Sequence, residues 1–242
     1  MKPCVVCLHG FTHTGASWEP VVRSLARRYR VLAPDIRGHG TAAGRRPVDL
    51  RAVIDDLAAL APERFALCGY SMGGRLALHT ALALGQRVNR LVLVGASPGL
   101  ADPAARAARQ RTDAQLADCL ERSTIEAFAV RWAQNPVLAG MPKPVAAAVH
   151  ADRLRNSPLG LAAALRGLGA AALPSLWHRL GDLAIPVRLV AGQRDDKFLR
   201  VAQQMAPLLR QAQIDVVPGA GHAAHLEQPG MVAAIIAEAP SG

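Results

Sequence analysis

The pentapeptide Gly69-Tyr70-Ser71-Met72-Gly73 stands between an apolar run, Phe65 to Cys68, and a helix-like run, Arg75 to Leu84. A serine in that setting occupies a sharp strand-to-helix turn, which lifts its Oγ clear of the sheet and leaves the next backbone N–H free for an oxyanion. Flanking glycines are needed because side chains there would collide, and Gly74 extends the small-residue zone by one position. Such a turn constrains the rest of the chain: an acid and then a histidine must follow, each just after a strand. The run Ile185 to Ala191 leads into Gly192-Gln193-Arg194-Asp195, and Ile214 to Val217 into Pro218-Gly219-Ala220-Gly221-His222. Upstream, strand-like Cys4 to Leu8 opens into His9-Gly10-Phe11, where a second oxyanion N–H is expected.

Singly, each piece has an ordinary structural use. The pentapeptide reads as a Gly-rich turn, Asp195 as a helix N-cap, and His222 as a loop histidine. Together they form four features in one prescribed order, each at the carboxyl end of an expected strand, where open α/β sheets place their ligands. That order points to an α/β-hydrolase fold with Ser71, Asp195 and His222 as the catalytic set.

From Cys4 to about Ser97 short apolar runs alternate with helical ones: strands at 4–8, 30–33, 64–69 and 90–95, helices near 18–29, 48–60 and 72–84. This is βαβ alternation and hence a mostly parallel sheet. Residues 100–182 read as wholly helical, an inserted lid within a single domain of 1–242. Strands resume at 185–191 and 213–217, with helices near 197–210 and 230–238. Because the oxyanion strand starts almost at Met1, the sheet is expected to lack an N-terminal hairpin and to hold about six strands.

The net charge of +10 raises nucleic acid as a partner, but 25 arginines and three lysines are scattered rather than gathered into a stripe, and aromatics make up only 4%. No apolar run is long enough to span a bilayer, and the apolar N-terminus is broken at His9-Gly10, unlike a signal peptide. The chain is therefore expected to be cytoplasmic, with no membrane span and no nucleic-acid partner; it is also expected to be a monomer. Cys4 and Cys7 point to opposite faces of one strand, which argues against a shared metal, and the cysteines read as core.

In the expected site, His222 activates the Ser71 hydroxyl and Asp195 fixes the imidazole tautomer. The backbone N–H groups of Phe11 and Met72 form the oxyanion hole. Asp196 and His225 are neighbouring rivals, ranked lower because Asp195 closes Gly-x-x-Asp and His222 closes Gly-x-Gly-His. Asp35, in Pro34-Asp35-Ile36-Arg37-Gly38-His39-Gly40, reads as a loop-fixing residue. No metal cluster or phosphate loop competes, and no cofactor is expected.

Finer features narrow the family. Ala96-Ser97-Pro98-Gly99-Leu100, Arg109-Gln110-Arg111-Thr112-Asp113, Arg131-Trp132-Ala133-Gln134-Asn135-Pro136-Val137, Leu154-Arg155-Asn156, Asp195-Asp196-Lys197-Phe198 and Gly221-His222-Ala223-Ala224-His225-Leu226-Glu227 run over most of the chain. This set resembles the 2-succinyl-6-hydroxy-2,4-cyclohexadiene-1-carboxylate synthases of menaquinone biosynthesis. The resemblance implies a lyase that removes pyruvate from 2-succinyl-5-enolpyruvyl-6-hydroxy-3-cyclohexene-1-carboxylate. It also implies a small substrate with three carboxylates, met by Arg75, Arg109 and Arg155, with Tyr70 and Trp132 as pocket walls. A carboxylesterase or C–C bond hydrolase would need the same three catalytic residues with a more apolar pocket. A non-catalytic ligand receptor on this fold would not need all three.

Overall fold

The computed structural model describes residues 2–238. Six strands form one sheet, β1 (Cys4–Leu8), β2 (Arg30–Leu32), β3 (Phe65–Tyr70), β4 (Val88–Val94), β5 (Val187–Gly192) and β6 (Ala212–Val217), in the order β2-β1-β3-β4-β5-β6. Every neighbouring pair is parallel. The interior strands are mostly apolar because both faces are covered, with polar residues confined to the amino-terminal parts of β4 (Asn89, Arg90) and β5 (Arg188). Side chains alternate between two cores. Val6, Leu8, Leu67, Leu91 and Leu189 face one, with Cys4, and Val5, Cys7, Cys68, Val92 and Val190 face the other. Cys4 and Cys7 thus lie on opposite faces, and all four cysteines are free.

The first core packs under α2 (Leu50–Leu60), α3 (Met72–Leu84) and α8 (Asp196–Met205), the second under α1 (Glu19–Leu25), α9 (Ala224–Glu227) and α10 (Pro229–Ala237). Helix α3 packs on the sheet and is covered by its neighbours, so that Met72 through Ala81 are all buried. Several ends fall short of the expected spans, among them α1, which stops at Leu25 rather than near 29. The helix expected to reach 210 leaves α geometry at Met205 and continues as a 3₁₀ turn, Ala206–Leu208, around Pro207. Strand β5 begins after Pro186, which has no N–H for the ladder.

Between β4 and β5 the chain is helical: α4 (Pro103–Glu121), α5 (Ile125–Trp132), α6 (Lys143–Arg153) and α7 (Pro158–Leu168). This insertion has a small core of its own, built from Ala117, Leu120, Phe128, Leu161, Ala162 and Leu165. Asp102, Thr124 and Ser157 each cap a helix by accepting from backbone N–H groups of the first turn. Among the described residues no helix is long and apolar enough to cross a membrane.

Candidate active site

Ser71 is the single residue between β3 and α3, and its backbone lies at φ 52°, ψ −110°. A non-glycine residue there costs about 1–3 kcal/mol, a strain that persists where the surroundings enforce it and that clusters at functional sites. Here they do. The Ser71 N–H donates to Val94 O at 2.9 Å, and the Ser71 carbonyl accepts from Arg75 N at 3.1 Å. The glycines answer to close approach: a Cβ on Gly73 would lie 2.3 Å from Leu8 O, and one on Gly69 2.4 Å from Gly73 O.

The loops after β5 and β6 bring two more side chains to the serine. His222 Nε2 is 3.2 Å from Ser71 Oγ, and His222 Nδ1 is 2.7 Å from Asp195 Oδ2. Asp195 also caps α8, accepting from Phe198 N at 3.4 Å, so the N-cap and acid readings are compatible. Both His222 and Asp195 are buried, and the imidazole packs against Phe198 at 4.5 Å and Tyr70 at 5.1 Å between ring centroids. With Nδ1 donating to the carboxylate, Nε2 is left to accept the serine proton. Of the rivals, Asp196 is exposed on the first turn of α8, and His225 is buried against Trp18 and Tyr70.

Among the described residues, neither the Phe11 nor the Met72 backbone N–H is donated to a protein group. The loop that carries Phe11 is pinned from several sides. His9 Nε2 accepts from Ile36 N at 2.9 Å and its Nδ1 donates to Gly10 O at 2.9 Å, and burial pulls its pKa down to about 4, so the ring is neutral with a fixed tautomer. Asp35 accepts from Gly15 N and from the backbone and hydroxyl of Thr41, the loop-fixing role expected of it. From the insertion, Asp152 accepts from Thr14 N at 3.0 Å and from the Thr14 hydroxyl and contacts His13, while Asn156 donates to Thr12 O at 2.9 Å.

A cavity of about 230 Å³ opens at Ser71. Its wall brings Phe11, Met72 and His222 together with Arg75, Arg109, Asp113, Trp132, Asn135, Lys197 and Phe198. Burial, then Arg109, pulls the Arg75 pKa down to about 10, and its Nε has no protein partner. Arg109 Nε donates to Asp113 Oδ1 at 2.7 Å. Trp132 stands edge-on to Phe11, ring centroids 5.4 Å apart. A larger depression, about 1070 Å³, lies at the amino ends of β3, β4 and β5. It contains no candidate nucleophile, so the chemistry rather than the volume selects the site.

Two sequence-based assignments need correction. Arg155 is exposed and lines a separate depression with Thr14, Asp35 and Thr41, because α6 ends at Arg153 and the following turn directs Arg155 outward. Its neighbour Arg153 is the buried one, donating to Thr12 Oγ1 at 3.3 Å with Nη2 unpartnered. Tyr70 is buried behind His222 and does not line the cavity, since on strand β3 it shares a core face with Cys68. The sequence reading also missed Lys197, Asp113 and Asn135 as cavity residues. A signal existed for Asp113, which follows Arg109 by four residues and so shares its helix face.

The fold and site define a serine-centred α/β hydrolase. The alpha/beta hydrolase family model matches residues 5–235, and the chain belongs to that family. Within it the chain belongs with the 2-succinyl-6-hydroxy-2,4-cyclohexadiene-1-carboxylate synthases. One of these, from Enterobacter sp. (strain 638), is 35% identical over 98% of this chain and 91% of its own length. A Bacillus subtilis (strain 168) protein described as a candidate for the same synthase is 36% identical over 97% of this chain and 89% of its own. Among solved structures, MenH from S. aureus matches with a TM-score of 0.92 at 28% identity, covering 97% of this chain and 91% of that one. A thermophilic esterase from Thermogutta terrifontis, solved with malate bound, matches with a TM-score of 0.84 at 28% identity, covering 98% and 88%.

Proposed function

We propose that this enzyme eliminates pyruvate from 2-succinyl-5-enolpyruvyl-6-hydroxy-3-cyclohexene-1-carboxylate to give 2-succinyl-6-hydroxy-2,4-cyclohexadiene-1-carboxylate, a step of menaquinone biosynthesis. The observation that carries the proposal is the hydrogen-bonded series Ser71–His222–Asp195 opening on a cavity lined by three cations, Arg75, Arg109 and Lys197. The substrate carries three carboxylates, and guanidinium and ammonium groups in a partly apolar cavity are what such a ligand needs.

The acidic hydrogen of this substrate is on the ring carbon bearing the succinyl chain, next to a ketone. Ser71 Oγ, its own proton drawn by His222, removes that hydrogen. The freed electron pair forms a new ring double bond, the existing double bond shifts along the ring, and the carbon–oxygen bond to the enolpyruvyl group breaks. Enolpyruvate leaves with that electron pair and takes up a proton to become pyruvate. Negative charge develops meanwhile on the succinyl ketone oxygen, where the Phe11 and Met72 N–H groups stabilise it. No acyl-enzyme is required. In this reading the enzyme works as a cytoplasmic monomer without a cofactor.

The likeness to the Thermogutta esterase favours a second reading, ester hydrolysis through an acyl-Ser71. A pyruvate-release assay on the enolpyruvyl substrate, run beside a p-nitrophenyl ester, separates the two. The lyase reading expects one pyruvate per substrate consumed and little ester cleavage. Rapid ester cleavage without pyruvate supports the hydrolase.

A further inference from the structure

Most charged side chains on the cavity wall suit an anionic ligand, but Asp113 does not. It is only 7% exposed, and while its Oδ1 accepts from Arg109, its Oδ2 is buried with no partner. A buried carboxylate oxygen without a donor is costly and calls for an explanation. The space beside it is kept open. Gly169 lines the same cavity, and a Cβ there would lie 2.9 Å from Asp113 Oδ2 and 2.3 Å from Leu165 O. The Gly169 φ of −57° is one that any residue adopts, so room rather than backbone conformation selects the glycine.

We propose that Asp113 Oδ2 accepts a hydrogen bond from a substrate hydroxyl, making Asp113 a specificity-determining residue for a hydroxylated polyanion. This rests on the reaction proposed above, whose substrate has one hydroxyl outside its carboxylates, on ring carbon 6. That hydroxyl survives the elimination and serves as a handle from first binding to product. A ligand made only of carboxylates meets repulsion at Asp113, whereas the ring hydroxyl donates there. The negative charge also steers the three carboxylates away, toward Arg75, Lys197 and the Arg109 terminal nitrogens, which no protein acceptor takes among the described residues. Asp113 therefore does more than hold Arg109: it fixes which edge of the ring faces α4.

The test measures pyruvate release from the native substrate and from its 6-deoxy analogue by the wild-type protein, Asp113→Ala and Arg109→Ala. A hydrogen bond to a charged group predicts that wild-type kcat/KM falls about 10- to 100-fold on the deoxy analogue. Asp113→Ala should lose that discrimination. Arg109→Ala, which removes the ion pair and keeps the carboxylate, should retain it while being slower on both substrates. Asp113→Asn, near-isosteric, makes the same comparison with a weakened acceptor if the alanine variant does not fold. Equal wild-type rates on the two substrates, or undiminished discrimination in Asp113→Ala, overturn the proposal. Failure of the wild-type protein to release pyruvate from the native substrate defeats the reaction assignment itself, and this inference with it.

Discussion

The strand ends and the helical insertion face one cavity but are organised by different rules. At the strand ends the backbone dictates position: Ser71 is held at φ 52°, and Asp195 and His222 follow directly on β5 and β6. In the insertion, helix phase and the points where helices end dictate it. Arg109 and Asp113, four residues apart, share the cavity face of α4, whereas Arg153 and Arg155, two apart, part company into core and solvent. Chemistry is thus built where sterics leave little choice, and recognition of charge where helix phase and helix ends decide which way a side chain faces.

The largest effect expected on the strand-end side comes from removing the serine or its base. Ser71→Ala and His222→Ala should each lower kcat by several orders of magnitude with the fold intact by circular dichroism, and Asp195→Asn should behave likewise or somewhat more mildly. Asp196→Asn should be close to wild type. Damage from Asp196→Asn in place of Asp195→Asn would move the acid to the other carboxylate.

Acid tests the same side through His9. Its folded pKa, about 4, is below the ordinary value of 6.5, so between these limits the unfolded chain binds a proton that the folded chain does not. Stability is then complete above pH 6.5 and declines as the pH falls toward 4, by on the order of 3 kcal/mol for this residue. Thermal unfolding followed from pH 7.5 to 4 should show a shallower slope in His9→Gln. An unchanged slope would show that other groups carry the acid sensitivity.

On the insertion side, Arg109→Ala should cost about 1.5–3 kcal/mol in kcat/KM for the tricarboxylate, the range for hydrogen bonds to charged groups, and spare any neutral ester. Arg155→Ala should change neither. An equal loss on charged and neutral substrates would make Arg109 a structural residue. The smallest effect joins the two regions: Asp152→Asn weakens the tie between α6 and the loop of Phe11, and should lower stability by about 1–2 kcal/mol and kcat more than KM. A rise in KM alone would detach that tie from the oxyanion hole.

The same contrast explains what could be read from the sequence. Strand, turn and helix around Ser71 were legible because Gly69, Gly73 and Gly74 record a steric demand, and the order serine, acid, histidine records the topology. The six parallel strands followed from apolar runs of the right length. In the insertion the helices were legible as a block, but the direction of each arginine was not, because it depends on where α6 stops and how the next turn packs on Thr12 and Thr14. Tyr70 was misplaced for a related reason: adjacency to Ser71 suggested the pocket, while the strand period sends its ring behind His222. Lys197 was legible only as part of a resemblance, since its place on the wall depends on how α8 starts after Asp195.

In the proposed reaction Ser71 removes a carbon-bound proton and is never acylated. Single-turnover rapid-quench kinetics, with substrate deuterated at the ring carbon bearing the succinyl chain, test it directly. Pyruvate should form more slowly from the deuterated substrate, and Ser71 should be unmodified by mass spectrometry at every time point. An acyl-Ser71 that forms and decays at the rate of turnover, with no isotope effect and little pyruvate, would contradict it.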